Sequence, residues 1–323
     1  MSTTSDSESG CQRVEDLWFS DADLILRAEK AIFRVYGGFL AARSSVFRDM
    51  LSFPQPQTTG TQTEEETIDG HTIIRLHDEA TEAEAFLRAV FDSSFFMPPP
   101  NPVKLDTVIG VLRLAHKYDV QYLFRRALAH LEVLYPFDLA SLYAGGSLAA
   151  FSTHVQFEGW SEPAANTLQA VSEVGATWML PSVYYAIAHV DEFWVYTSEY
   201  LEGEQLEKCL VGHSHFIRAH TSSHRFLHAL PLASCNFTAC RVTVAGAYRR
   251  LNRRTDLCQD AEPLREWVFD SMNDELCSAC SDFGAARHVE AQEAFWESLP
   301  SLFQLPAWEK LMEMRQKVMT DTA

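Results

Sequence analysis

The stretch Asp23 to Leu51, DLILRAEKAIFRVYGGFLAARSSVFRDML, constrains the fold more than any other part of the chain. Leu24, Leu26 and Ala28 alternate with Ile25, Arg27 and Glu29, the Glu29-Lys30 pair supplies a turn, and Ile32 to Tyr36 resumes the alternation. Successive strand side chains point to opposite faces, so the pattern predicts a β-hairpin. Gly37-Gly38 then breaks the strand, Phe39 and Leu40 open a helical turn, and Ser44 is placed to cap a second helix. In that helix Phe47, Met50 and Leu51 recur at spacings of three and four. A hairpin that feeds directly into two short helices commits this part of the chain to an α+β arrangement.

The flanking sequence extends that unit. Thr72 to Leu76 reads as a further strand beside the hairpin, and Thr81 with Glu84 makes a capping box before the apolar stripe Phe86, Leu87, Val90 and Phe91. The proline run from Met97 to Pro102 ends that helix. Asp106 can cap the next, whose Val108, Val111, Leu112, Ala115 and Tyr118 share a face; Leu123, Phe124, Ala127, Leu128 and Leu131 stripe a last helix that stops at Pro136. Pro54 to Glu66 is a polar insertion that predicts a mobile loop. Residues 1–15 carry almost nothing to bury and are expected to be a disordered tail, and Leu17, Trp18 and Phe19 are expected to form a short strand or an anchor.

Two of these segments, FRVYGGFLAARSSVFRDM and LRLAHKYDVQYLFRRALAHL, resemble the two signatures of the BTB (POZ) domain, and more narrowly the BTB proteins of mushroom-forming fungi. The resemblance rests on Asp23, Phe33, Val35, Leu40, Ser44, Val46 and Phe47, and on Leu114, Ala115, Lys117, Tyr118, Val120 and Leu123. It covers roughly the first 135 residues. The family has a histidine after the second strand, where this chain has Tyr36. The resemblance implies a small sheet flanked by helical hairpins over residues 16–136, followed by a mostly α-helical domain at 137–323. In that second part helices are expected at 138–149, 162–176, 181–196, 204–230, 240–252, 262–276, 282–299 and 307–318.

Length and charge agree with this division. At 323 residues and 47% hydrophobic composition, the chain is long enough for about two cores. A formal charge of −18 argues against a nucleic-acid partner, which needs a basic face to displace counterions. The cluster Arg249, Arg250, Arg253 and Arg254 is spaced like a solvated helix face. No apolar run approaches the roughly 20 residues that span a bilayer, and the polar, acidic N-terminus reads as neither signal nor transit peptide. An intracellular protein, cytoplasmic or nuclear and without a membrane partner, is the expectation. Seven cysteines in such a chain suggest thiols or metal ligands rather than disulfides.

Cys235, Cys240, Cys277 and Cys280 form a C-x4-C pair and a C-x2-C pair, spacings at which each pair can hold one side of a tetrahedral zinc ion. The competing reading is thiols in ordinary helical packing. Four thiolates would fill the coordination of such a zinc and leave no catalytic position. A second cluster, His213, His215, His220, His224 and His228, places His220, His224 and His228 at i, i+4 and i+8. It supports an alternative reading as a small metal-dependent or hydrolytic enzyme, although no HExxH motif accompanies it. Gly212-His213-Ser214-His215 lacks the G-x-S-x-G pattern, and Gly145-Gly146-Ser147 lacks the lysine and spacing of a phosphate cradle.

The reading these features favour is a non-enzymatic protein-interaction module with no required cofactor and a candidate structural zinc. The resemblance implies protein partners and homodimerisation through the helices after the hairpin. Phe39, Phe47, Met50 and Phe86 are the candidate contact residues, each with core packing as the competing role. Some BTB proteins are substrate adaptors for cullin-based ubiquitin ligases and bind the cullin through an apolar-x-Glu motif. The matching stretch here, Ala85-Phe86-Leu87-Arg88, ends in Arg88.

Overall fold

The computed structural model describes residues 10–52, 67–68, 70–144, 154–156, 161–188, 197, 199–256, 263–264 and 275–320. They fall into two compact units, one running to Leu131 and the other taking in most of the residues beyond it.

A five-stranded sheet, in the order Gln12–Trp18, Ala31–Val35, Leu24–Ala28, His71–Leu76, Thr67–Ile68, organises the first unit. Strands β2 (Leu24–Ala28) and β3 (Ala31–Val35) form the expected antiparallel hairpin, Leu26 opposite Phe33. Its turn places Glu29 in the left-handed region at φ 50°. Strand β5 (His71–Leu76) lies parallel to β2, with Leu26 opposite Ile74, and β4 (Thr67–Ile68) pairs antiparallel with β5. On the other edge β1 (Gln12–Trp18) runs parallel to β3. It begins inside the stretch that reads as a tail. Leu17 is buried and, with Trp18, forms the end of the strand where a short strand or anchor is expected; most of the other side chains are exposed, so ladder hydrogen bonds hold the first part and composition carries no trace of it.

The hairpin leads into α1 (Gly37–Arg43) and α2 (Ser45–Ser52). The Gly37 N–H donates to Asp23 Oδ1 at 2.8 Å, and the Phe47 N–H donates to Ser44 Oγ at 3.0 Å, so Ser44 does cap the second helix. Two expected caps differ. Helix α3 (Ala80–Phe91) starts one residue before Thr81, and no side chain of its flanking Glu79 caps it. Instead the Ala80 N–H donates to Glu29 Oε2 at 3.2 Å, so the hairpin turn supplies the acceptor. Helix α4 (Leu105–Lys117) contains Asp106 in its first turn rather than before it, where a carboxylate still favours the positive end of the helix dipole. Helix α3 closes at Asp92, before the prolines.

Helix α5 (Gln121–Leu134) completes the layer, and a two-residue strand, Val103–Lys104, pairs parallel with Val155–Gln156. Where α3 crosses α4, a Cβ on Gly110 would lie 3.2 Å from the Glu82 backbone, so the close approach depends on glycine.

The second unit is mostly helical. Helices at Leu139–Ala144, Ser161–Glu173, Leu180–Ala188, Gly203–Ser223, Thr238–Asp256, Ser278–Leu302 and Trp308–Thr320 follow the expected stretches. Most of the expected 262–276 helix lies outside the described residues. Trp178, Tyr184, Tyr185, Phe216 and Phe303 are fully buried at its centre. The Tyr184 and Phe303 rings stack at 4.9 Å, and Phe216 meets Phe295 edge-on at 5.7 Å. Glu132 accepts from Trp178 Nε1 at 2.9 Å and from both ends of the Arg315 guanidinium at 2.7 and 2.8 Å, a bidentate pair that ties the last helix to this core.

Candidate interaction surface and cysteine centre

The two signature segments meet in the core of the first unit. Phe47 stacks on Tyr118 at 4.5 Å, and Phe86 packs on the other side at 5.6 Å. Around these rings Ser44 Oγ donates to the Tyr118 carbonyl, Ser45 Oγ to Asp119, and the Tyr118 hydroxyl to Asp78. Burial, then the hydrogen bond to Asp78, holds the Tyr118 phenol far above its ordinary pKa. The Asp119 carboxyl is held below its usual range, first by the Gln121 amide and then by Ser45.

This geometry sorts the candidate contact residues. Phe47 and Phe86 lie wholly inside the subunit's own core, at 0% and 1% exposure, where both rings pack on Tyr118. They have no free face, and core packing is the role they take. Phe39, by contrast, is 40% exposed, and Met50 is half-buried.

Phe39 belongs to an aromatic band. Its ring lies 5.3 Å from Phe91, Phe91 lies 5.8 Å from Phe19, and Phe19 stacks on Tyr36 at 5.3 Å. The Arg43 guanidinium sits 5.3 Å from the Phe39 ring and 5.6 Å from Tyr122, with Arg126 5.9 Å from Tyr122. Tyr36 also keeps a polar contact at the position where a histidine is usual: its hydroxyl donates to Asp21 Oδ1 at 2.7 Å. That bond raises the Tyr36 pKa and lowers that of Asp21. Sequence reasoning singled out only Phe39 as a contact residue here; Arg43, Phe91 and Tyr122 come from three separate helices, and no spacing connects them. Arg88 is engaged elsewhere, pairing with Glu84 at 2.9 Å and Asp16 at 3.0 Å.

In the second unit the four cysteines converge. The sulfurs of Cys235, Cys240, Cys277 and Cys280 all lie within 4.8 Å of one another, with Cys235 Sγ 3.7 Å from Cys277 Sγ. Cys235 lies in the loop before the Thr238–Asp256 helix and Cys240 in its first turn, while Cys277 flanks the start of the Ser278–Leu302 helix and Cys280 lies in its first turn. The Cys277 N–H donates to Cys240 Sγ at 3.2 Å. A backbone N–H from Cys280 favours the Cys277 thiolate and brings its pKa down to about 7, whereas burial pushes the Cys280 thiol up to about 12. None of the described cysteines is in a disulfide.

The histidines do not converge. The Gly203–Ser223 helix ends before His224, and a 3-10 turn, Arg225–Ala229, comes next, so the i, i+4, i+8 stripe is not one helix face. The chain turns there because Leu227 and Leu230 are drawn into the core beside the cysteines. His213 is buried, its Nδ1–H donating to the Ala188 carbonyl at 3.1 Å, and burial lowers its pKa. His215 is exposed, His224 is buried near Phe226, and exposed His228 bonds the Tyr248 hydroxyl at 2.9 Å. Among the described residues the cysteine quartet is the one group of three or more metal-ligating side chains whose ligand atoms meet. The side chain of His220 lies outside them.

The first unit is thus a five-stranded sheet with helices, in which the two signature segments meet at the Phe47–Tyr118 stack. Residues 15–133 match the BTB/POZ domain family. The chain thus carries a BTB/POZ domain followed by a mostly helical region, and BTB/POZ domains generally mediate protein–protein interaction. No curated protein and no solved structure gives a match. No helix among the described residues is long and apolar enough to cross a membrane.

Proposed function

We propose that this protein is a non-catalytic interaction scaffold that self-associates through its BTB domain as a homodimer and presents its helical unit to a further protein partner. The exposed band around Phe39 carries this reading. Aromatic and arginine side chains supply most of the binding energy at protein interfaces, and here Phe39, Tyr36 and Tyr122, at 40%, 38% and 37% exposure, stand beside Arg43 and Arg126. In a chain of net charge −18 the two guanidiniums also relieve the repulsion between copies at that face. In the same reading the cysteine quartet is a structural element, a site for one zinc ion with no part in chemistry.

The test is native mass spectrometry of the full-length chain with its Phe39→Asp variant. A wild-type dimer that becomes a folded monomer in the variant supports the reading; a monomeric wild type overturns it. Adaptor function for a cullin ligase is the narrower reading, and Arg88, already paired with two carboxylates, stands where its motif needs glutamate. Capture of a cullin N-terminal domain by the wild type, lost on Arg88→Ala, would establish it against that expectation.

A further inference from the structure

We infer that Cys235, Cys240, Cys277 and Cys280 form a closed four-thiolate site for one zinc ion, and that this ion joins the segment Leu227–Ala247 to the segment Leu276–Phe283. This deepens the structural-metal reading of the quartet and does not depend on the BTB surface.

Four sulfurs bound at about 2.3 Å around one tetrahedral zinc stand about 3.8 Å apart. The Cys235 and Cys277 sulfurs are 3.7 Å apart, and none of the separations within the quartet exceeds 4.8 Å, so the four already stand close to the spacing that one ion requires. A disulfide requires sulfurs about 2.0 Å apart and would pair only two of the four. An iron–sulfur cluster distributes its cysteines over separate irons and holds them farther apart than one ion does. With four sulfurs and no histidine or carboxylate among them, the donor set is soft, which selects zinc over magnesium or calcium.

The surroundings suit the charge. A zinc ion with four thiolates carries a net negative charge, which buried cysteines bear only where positive potential offsets it. Two helix N-termini supply it: Cys240 lies in the first turn of Thr238–Asp256, and Cys277 and Cys280 sit at the start of Ser278–Leu302. The Cys277 N–H directed at Cys240 Sγ adds a charge-assisted hydrogen bond once that sulfur is a thiolate.

The packing around the quartet is rich in cysteine. Among the described residues the buried members of the apolar cluster here are Leu227, Leu230, Cys235, Cys240, Val244, Ala247 and Cys280, so three of the seven are the cysteines themselves. Cys277 is half-buried at its edge. Phe226, Leu232, Tyr248, Leu276 and Phe283 pack half-buried against the cluster, and ligand bonds from the four sulfurs would fix the two segments to each other as they do in small metal-folded domains.

The experiment uses the full-length chain expressed with zinc. Native mass spectrometry should count one zinc per subunit, and X-ray absorption at the zinc edge should show a shell of four sulfurs and no nitrogen or oxygen. Chelator treatment followed by hydrogen exchange should deprotect 227–247 and 276–283 while 105–131 stays protected. Absence of zinc after purification and after titration, iron in its place, a shell containing histidine, or exchange unchanged on chelation would each overturn the inference. The Cys277→Ser/Cys280→Ser variant should lose the ion, and Cys11→Ser/Cys209→Ser should keep it. The same spectrum reports subunit number, so failure of the zinc site and failure of dimerisation are separately visible.

Discussion

The Phe47 ring stacks on Tyr118 at 4.5 Å with 29° between their planes, joining the helix after the hairpin to the end of α4 from a distant part of the chain. Tyr118 also lies against Phe86, and its hydroxyl reaches Asp78. Removing Phe47 therefore opens a cavity at the point where three elements meet. Phe47→Ala should cost about 3–5 kcal/mol, and Ser44→Ala, which removes the cap of α2, about 1 kcal/mol. Urea midpoints of the two variants would check the order; a Phe47→Ala midpoint equal to wild type would place that ring outside the core.

Gly212 faces Phe303 so closely that a Cβ there would lie 2.1 Å from the ring. The Phe303 ring is itself pinned against Tyr184 at 4.9 Å and cannot simply rotate away. Gly212→Ala should destabilise the helical unit by about 1–3 kcal/mol through overpacking. Phe303→Leu in the same chain should recover part of that loss, giving a non-additive double-mutant cycle. Additive losses would show that the two residues do not touch.

Two ion pairs should behave differently. Arg315 grips Glu132, whose side chain is only 11% exposed, whereas Lys310 and Glu313 are 64% and 66% exposed. Arg315→Ala strands a carboxylate that also serves Trp178; since Arg315 is 30% exposed and water screens the pair, a loss of about 1–3 kcal/mol is expected. Lys310→Ala should leave the unfolding temperature essentially at the wild-type value, because water screens so exposed a pair. Thermal unfolding of both variants distinguishes them, and equal shifts would contradict the assigned burial.

Two buried histidines set an acid limit. Burial lowers the pKa of His130 and of His213 below 6.5, and each donates a ring N–H to a backbone carbonyl, Met97 and Ala188 respectively. Below that ordinary value the unfolded chain binds protons that the folded chain refuses. Their contribution to stability is therefore complete above about pH 6.5 and lost as pH falls toward the folded values. Urea midpoints at about pH 7.5 and about pH 5.5, on either side of the ordinary histidine value, should show the drop, and a His130→Gln/His213→Gln variant a smaller one. An equal drop in both would assign the acid sensitivity to other groups.

Local pattern was enough for what local forces fix. The alternation around Glu29-Lys30 specified the hairpin, Ser44 at its cap marked the start of α2, and the apolar stripes of α4 and α5 marked their buried faces, because strand and helix periods are written in adjacent residues. The paired spacing of the cysteines named all four members of the quartet from residue type and interval alone.

Tertiary structure decided what depends on residues far apart in the chain. Glu29 rather than Thr81 caps α3, because the hairpin turn ends beside that helix. Phe39 reached the surface while Phe47, in the next helix, went inward, since only the docking of α2 on Tyr118 fixes which side of each helix is covered. The histidine stripe broke at His224 because Leu227 and Leu230 were needed beside the cysteines, and apolar burial outweighed continued helix. The edge strand β1 was marked in the sequence only at its Leu17-Trp18 end, since the backbone pairing of its exposed first residues is invisible in side-chain pattern. Convergence of the two cysteine pairs was decided in the same way: spacing names the ligands, but only the meeting of two helix N-termini puts four sulfurs within reach of one ion.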